Sequence, residues 1–436
     1  MRCGLSGRDA PFTAAYAAGL NTGHYGAMPM PWKDEPMPSP ATDLAHPAAL
    51  PPARSGRALS LPVVLVLQGG GALGAYQGGV YEALHEAGIE PDWVIGTSIG
   101  AINAALIAGN RPAQRLDRLR EFWQQVAFHG PRLPWLAAAG QHQAWNRAAA
   151  IVQGVPGFFS PNPPAWLGPL WPLDEQAAGY YLNDELQRTL SKLTDARLLA
   201  ARSPRLTVGA VRVDSGQMHY FDSRDAPVDL AQVMASGALP PAFAPVRVGD
   251  ALYWDGGIYS NTPVEVVFDD QPRRSALVFS VQLWRPAGAP PRNMAEVATR
   301  QQDIQFASRA DSHLRRQAQL HHLRHIVREL ARALPAAKRA LPQMQDLAAH
   351  GCGTVMHLMN LVAPRLPDED ASKDLDFNAD RIQARWQAGL EDMRRTLRRR
   401  AWDDPFDAML GLVVHDGPGQ TCSTLTPNRL HTGDSD

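Results

Sequence analysis

Blocks of apolar residues punctuated by glycine set the texture of the middle of this chain. Leu61–Leu67 is almost wholly apolar and ends in Gln68-Gly69-Gly70-Gly71-Ala72-Leu73-Gly74. A run of that kind, bounded by a glycine turn, predicts a strand buried on both faces. Ala72–Ala87 then predicts a helix closed by Gly88, Trp93–Ile95 a second strand, and Ile99–Ala108 a second helix closed by Gly109. Strand and helix in alternation predict a parallel sheet covered on both faces. Arg205–Val213 and Gln217–Phe221 read as a hairpin across Asp214-Ser215-Gly216, and Ala276–Leu283 as a further buried strand. Beyond about residue 290 the period turns helical. Leu320, Leu323, Val327, Leu330 and Leu334 fall on one helix face, with Arg324, Arg328 and Arg332 largely off it. The expected fold class is α/β, with a central, mainly parallel sheet and a helical C-terminal region.

Composition divides the chain further. Residues 1–58 are rich in Pro, Ala and Gly and predict a mostly disordered segment. Residues 59–290 form the expected α/β unit, 291–411 the helical region, and 412–436 a flexible tail. The chain has 436 residues and a net charge of −1, a balance that argues for neither nucleic acid nor a strongly anionic surface as partner. Cys3, Cys352 and Cys422 are far apart and show no metal-ligand spacing, so neither a disulfide framework nor a metal site is expected. The first residues lack a clean signal-peptide core, and no stretch approaches the roughly 18 uninterrupted apolar residues of a membrane span. These features predict a cytoplasmic protein that meets lipid, where it does so, from the membrane surface.

The chemistry concentrates at two glycine-flanked turns. Gly96-Thr97-Ser98-Ile99-Gly100 follows the second strand and opens the second helix. G-x-S-x-G in that setting places a serine on a sharp turn at the carboxyl end of a parallel strand, where open α/β sheets bind ligands. The pattern alone recurs by chance; its strand-to-helix placement makes Ser98 a candidate nucleophile. The Gly69–Gly74 loop has two readings. As G-x-G-x-x-G it is a dinucleotide fingerprint, with Glu90 or Asp92 at about the right distance for a ribose. Those acids precede the second strand, however, whereas a ribose-binding acid belongs at its carboxyl end. The other reading makes the backbone amides of Gly69, Gly70, Gly71 and Ala72 an oxyanion hole facing Ser98.

A nucleophilic serine needs a base. Asp255 follows Leu252-Tyr253-Trp254 and leads into Gly256-Gly257, on a tight turn able to approach a site. An Asp-Gly pair is more often a turn or a cap, so both roles stay open on the residues alone. His321, His322 and His325 follow in the Ser–Asp–His order of α/β-hydrolases, but clustered histidines on an arginine-rich helix usually belong to a solvated face.

Gly69 to Gly74, Gly96 to Gly100, Ala235-Ser236-Gly237-Ala238-Leu239-Pro240-Pro241 and Asp255-Gly256-Gly257 together resemble the patatin-like phospholipase family, over roughly residues 63–285. The resemblance implies a three-layer α/β/α fold and a serine acyl hydrolase that cleaves lipid esters without cofactor or metal. Carried across motif by motif, Ser98 is the nucleophile, Asp255 its partner and the Gly69-Gly70-Gly71 amides the oxyanion hole. Gly74, Gly96, Gly100, Gly256 and Gly257 are the motif glycines. Leu73 stands where many family members have Arg or Lys, which removes a positive charge beside the oxyanion site. A dinucleotide-binding oxidoreductase and a patatin-like scaffold without turnover are the competing functions. The apolar insertion Trp166–Pro172 reads equally as a lid, a lipid-contacting loop or a core-packed segment. The basic run Met393–Arg400 reads as a solvated helix face or as a contact for anionic lipid.

Overall fold

The computed structural model describes residues 61–128, 150, 152–407 and 409–417, without the side chains of 308–311. The expected disordered segment, residues 1–58, lies outside the described residues. The strands are β1 (Val63–Leu67), β2 (Trp93–Thr97), β3 (Ser160–Pro161), β4 (Tyr181–Leu182), β5 (Arg205–Arg212), β6 (Met218–Asp222), β7 (Val246–Val248), β8 (Ala251–Asp255), β9 (Ala276–Gln282), β10 (Met356–Val362) and β11 (Leu412–Asp416). The helices that matter for the site are α1 (Ala75–Glu86), α2 (Ile99–Ala108), α3 (Leu230–Ser236), α4 (Met294–Ala333) and α5 (Ala379–Arg399).

One nine-stranded sheet runs β11-β10-β9-β1-β2-β5-β8-β7, with β6 paired to β5. Pairing is parallel from β11 to β5 and antiparallel beyond. The strands of the parallel part are apolar on both sides because both faces are covered. Val63, Leu65 and Leu67 join a core with Tyr76 and Val80 of α1, Ile102 of α2 and Met393 of α5. Val64 and Val66 enter a second core with Phe268 and with Leu314 of α4. The result is a three-layer α/β/α fold.

Register explains how distant segments meet. β6 occupies one edge of β5 from Thr207 to Val211. β2 and β8 therefore share the other edge: Thr97 pairs with Gly209, and Asp255 with the next residue, Ala210. The two strands run in opposite senses, so their carboxyl ends meet almost head to head.

Three expectations need correction. The region 291–411 is not wholly helical, because Met356–Val362 inserts into the sheet between β9 and β11. The tail does not start at 412: Leu412–Asp416 is the edge strand, paired along its length to β10. Both follow from apolar residues that complete a buried parallel sheet. The third concerns α4, whose leucine stripe faces water: Leu320 is 36%, Leu323 55% and Leu330 64% exposed. The face turned to the protein instead carries Leu314, Gln317, His321 and His325.

Candidate active site

The turn after β2 is strained at one residue. Ser98 has φ 57° and ψ −127°, a positive φ that a side chain adopts only when its surroundings enforce it. The enforcement is local. A Cβ on Gly96 would collide with the Gly100 carbonyl, and one on Gly100 with the Leu67 carbonyl, so strand, turn and helix close together only with glycine at both places. The Ser98 N–H donates to Oγ of Ser236 at 3.0 Å, and that hydroxyl donates to the Gly209 carbonyl at 2.6 Å. Ser236, at the end of α3 and fully buried, thus ties the turn to β5. Its motif, Ala235–Pro241, is visible in the sequence, but this bracing role is not.

Asp255 ends β8 and is 1% exposed. Its Oδ1 accepts the Gly257 N–H at 2.7 Å, and the Ser98 side chain lies within hydrogen-bonding reach of its carboxyl. Burial pushes the carboxyl up to about 7, against the opposing pull of the bonds from Ser98 and Gly257. Hydroxyl and carboxyl, 157 positions apart in the chain by their residue numbers, are therefore neighbours, as the shared edge of β5 requires.

The glycine loop supplies fewer free donors than the sequence implies. The Gly69 N–H donates to the Asn261 carbonyl at 3.2 Å, so it is not available to an oxyanion. The Gly69 carbonyl accepts from Asn261 Nδ2 at 3.2 Å and Trp284 Nε1 at 2.8 Å, which fixes the peptide plane. Ala72 is fully buried and does not line the cavity. Gly70 and Gly71 do line it with Ser98, and neither N–H has a partner among the described residues. Gly71 has φ 53°, and a Cβ there would collide with the Asp374 carbonyl.

The cavity over Ser98 is about 100 Å³. Ile102, Phe158, Phe159, Phe243, Phe306 and Phe377 are among the residues of its largely apolar wall. Phe306 stacks on Trp284, centroids 4.9 Å apart, and its carbonyl accepts from Gln68 and Asn261, so α4 is anchored beside the site. Asp374 adds a second carboxyl, pushed up to about 6 by burial. Asn261 lies in the segment that follows the Asp255 turn, Tyr253–Pro263, which itself resembles the family, whereas Trp284, Phe306 and Asp374 lie outside every motif and carry no signal in the sequence.

The rival site residues lie elsewhere. Glu90 accepts from Tyr81 at 2.8 Å and pairs with Arg115 at 2.5 Å, and Asp92 accepts the Val63 N–H at 2.8 Å. Both acids hold the amino-terminal side of β2, whereas a ribose-binding acid belongs at its carboxyl end. His321 and His325 are buried rather than solvated, His321 ring to ring with Phe268, and no histidine lines the Ser98 cavity. In the basic run, Arg394 pairs with Glu86, Arg395 with Asp392, Arg399 with Asp404 and Arg400 with Asp403, so most of its charge is matched within the protein. Trp166, Leu167, Leu170 and Trp171 are 54–95% exposed, which removes the core-packed reading.

A family model described as "Patatin-like phospholipase" matches residues 65–268, and a second, "Patatin phospholipase", matches residues 304–409, beyond the extent expected from the motifs. Patatin-like phospholipase domain-containing protein 6 of Mus musculus is 48% identical over 61 residues, 14% of this chain and 4% of that protein. Lysophospholipase nte1 of Aspergillus terreus is 63% identical over 46 residues, 11% and 3% of the two chains. An uncharacterized NTE family protein of Mycobacterium tuberculosis is 30% identical over 217 residues, 50% of this chain and 29% of that one. The chain thus spans less than a third of the length of each of these relatives. With both family models falling on the described sheet and its C-terminal extension, the chain belongs to the patatin-like phospholipase family.

Proposed function

We propose that this protein is a serine acyl hydrolase that cleaves lipid carboxylic esters through Ser98 and Asp255. The observation that carries the reading is a buried carboxyl, pushed up to about 7, within reach of a strained serine in an apolar cavity. An ordinary aspartate near 3.9 is a weak base for a hydroxyl; one near neutrality is matched to the task.

In the first step Asp255 takes the Ser98 proton as Oγ attacks the ester carbonyl. The Gly70 and Gly71 amides receive the developing oxyanion; one such donor is worth about 10²–10³ in turnover. Protonated Asp255 then gives its proton to the departing alcohol, leaving an acyl-Ser98. Water repeats the sequence and regenerates the serine. The phenylalanine wall suits an acyl chain. Trp166 packs on Tyr180 at 5.0 Å between centroids, and the neighbouring Tyr181 lines the cavity, so the exposed Trp166–Trp171 loop leads from the surface to the site. Such a loop fits entry from a lipid surface.

A fluorescent phosphonate probe tests the assignment. Wild-type protein should be labelled and should hydrolyse lysophospholipid or short-chain ester; Ser98→Ala, folded by circular dichroism, should lose both. Labelling that survives in Ser98→Ala removes the proposal.

A further inference from the structure

A second cavity, about 510 Å³, lies on the other side of the glycine loop. Consecutive or near-consecutive residues line the two: Gly71 and Leu73, Trp284 and Arg285, Asp374 and Lys373. Their walls differ in kind. The Ser98 cavity has no basic side chain, whereas this one is lined by Arg285, Arg292, Arg300, Arg365, Lys373 and Arg385.

Two of those cations are neutralised. Lys373 pairs with Asp303, and Arg385 with Glu369 at 3.3 Å. The other four arginines have no carboxylate partner among the described residues. The remaining acid in the wall, Glu296, is engaged at the start of α4, accepting the Arg292 N–H at 2.6 Å and Asn293 Nδ2 at 2.8 Å.

Three of the four, Arg285, Arg300 and Arg365, are also held in place. Arg285 Nε donates to the Ala363 carbonyl at 2.9 Å, and Arg365 Nη2 to the Glu369 carbonyl at 3.0 Å. Arg300 donates to the carbonyls of Arg285 and Pro286. Each guanidinium has five N–H donors, so these tethers fix its orientation and leave donors for a guest. On an ordinary solvated face, cations diverge and carry counter-charges. Here four cations without a carboxylate partner line one concavity, with the Glu296 carboxylate as its one acid not paired to a cation.

We infer that this cavity is a second binding site, for a multiply charged phosphate group, free or as a lipid headgroup. Fixed guanidinium forks match the paired oxygens of phosphate, and several forks around one volume favour more than one negative charge. The volume lies in the range of small-molecule sites. The inference does not rest on the hydrolase reading, because binding is measured without turnover.

Full-length protein is titrated with pyrophosphate by calorimetry and, separately, floated with phosphatidylcholine vesicles with and without phosphatidic acid. Saturable pyrophosphate binding at low salt, weakened as salt rises, identifies a free phosphate ligand. Recovery that depends on phosphatidic acid, without pyrophosphate binding, identifies a headgroup. In either arm Arg285→Gln/Arg300→Gln should weaken binding by about tenfold or more, the equivalent of a lost charge-assisted contact. Because those side chains also brace backbone, Arg292→Gln, at an exposed position whose side chain has no hydrogen-bond partner among the described residues, serves as the second variant; it should weaken binding roughly threefold with an unchanged melting temperature. Absence of binding in both arms, or binding undiminished in both variants, overturns the inference.

Discussion

Asp255 at the carboxyl ends of the strands and His321 on the inner face of α4 are both buried titratable groups, and both are candidate bases on sequence. Their surroundings separate them. Asp255 has a hydrogen-bonded amide, a serine in reach and a cavity above it. His321 packs on Phe268 with neither ring nitrogen hydrogen-bonded among the described residues. Burial disfavours the charged form of each, so the carboxyl is pushed up to about 7 and the imidazole, by desolvation and then by Arg324, His325 and Arg273, down to about 4. The pH consequences are opposite. The folded state binds the Asp255 proton more tightly than the unfolded chain, so that contribution to stability is lost as pH rises from about 4 to about 7. The folded state binds the His321 proton less tightly, so its contribution is lost as pH falls from 6.5 to about 4. Burial yields a usable base only where a partner and an opening accompany it.

The largest expected effect comes from Asp255→Asn. Asparagine keeps an acceptor for the Gly257 N–H and abolishes the proton acceptor for Ser98. Ester hydrolysis should fall by about 10³ or more, and phosphonate labelling with it. At pH 8 the variant should also be more stable than wild type. A rise from 3.8 to about 7, at 1.36 kcal/mol per pKa unit, sets an upper limit of roughly 4 kcal/mol on the gain. Urea unfolding at pH 5 and pH 8 measures it; a variant no more stable at pH 8 would show that the carboxylate is not under electrostatic strain. Wild-type activity should rise through about pH 7 to a plateau as Asp255 loses its proton.

How much of this contrast is legible in the sequence depends on the range of the forces that create it. Ser98 is legible because the glycines that let its turn close, Gly96 and Gly100, lie only two residues away. Asp255 is legible as a candidate from its turn, but its nearness to Ser98 depends on β2 and β8 sharing an edge of β5. The loss of Gly69 from the oxyanion set is not legible, since its amide is taken by Asn261, far along the chain. The parallel core is readable from Val63–Leu67 and Ala276–Gln282, whereas β10 and β11 lie beyond the long helix and extend the sheet by docking β10 on β9 and β11 on β10. On α4 the leucine spacing was real, yet the sheet buries the Leu314–His325 face, a tertiary choice that periodicity alone does not decide.

Ser236→Ala makes the Asp255 region resemble the His321 region by leaving polar groups unpaired. It removes the acceptor for the Ser98 N–H and the donor to the Gly209 carbonyl, inside the protein. The expected cost is about 1–3 kcal/mol of stability. Turnover should drop about tenfold with KM little changed, because the turn that aims Oγ loses its brace while the acyl cavity stays intact. Ser236→Thr, which retains the hydroxyl, should recover most of the turnover. A KM increase with unchanged kcat would mean that Ser236 serves the cavity rather than the serine.

His321→Leu should do the reverse and carries the smallest effect. It replaces a side chain with two unbonded buried nitrogens by one that asks for no partner, beside Phe268 and the apolar Leu314 of the same core. Stability at pH 7 should rise by about 1 kcal/mol, since a buried polar group without a partner is replaced by an apolar one of similar size. The fall in stability between pH 6.5 and about 4 should shrink, while ester hydrolysis stays at the wild-type rate. Thermal unfolding at pH 5 and pH 7 with a parallel esterase assay reads all three. Lost hydrolysis in a folded His321→Leu protein would reinstate histidine as the base and dissolve the distinction between the two burials.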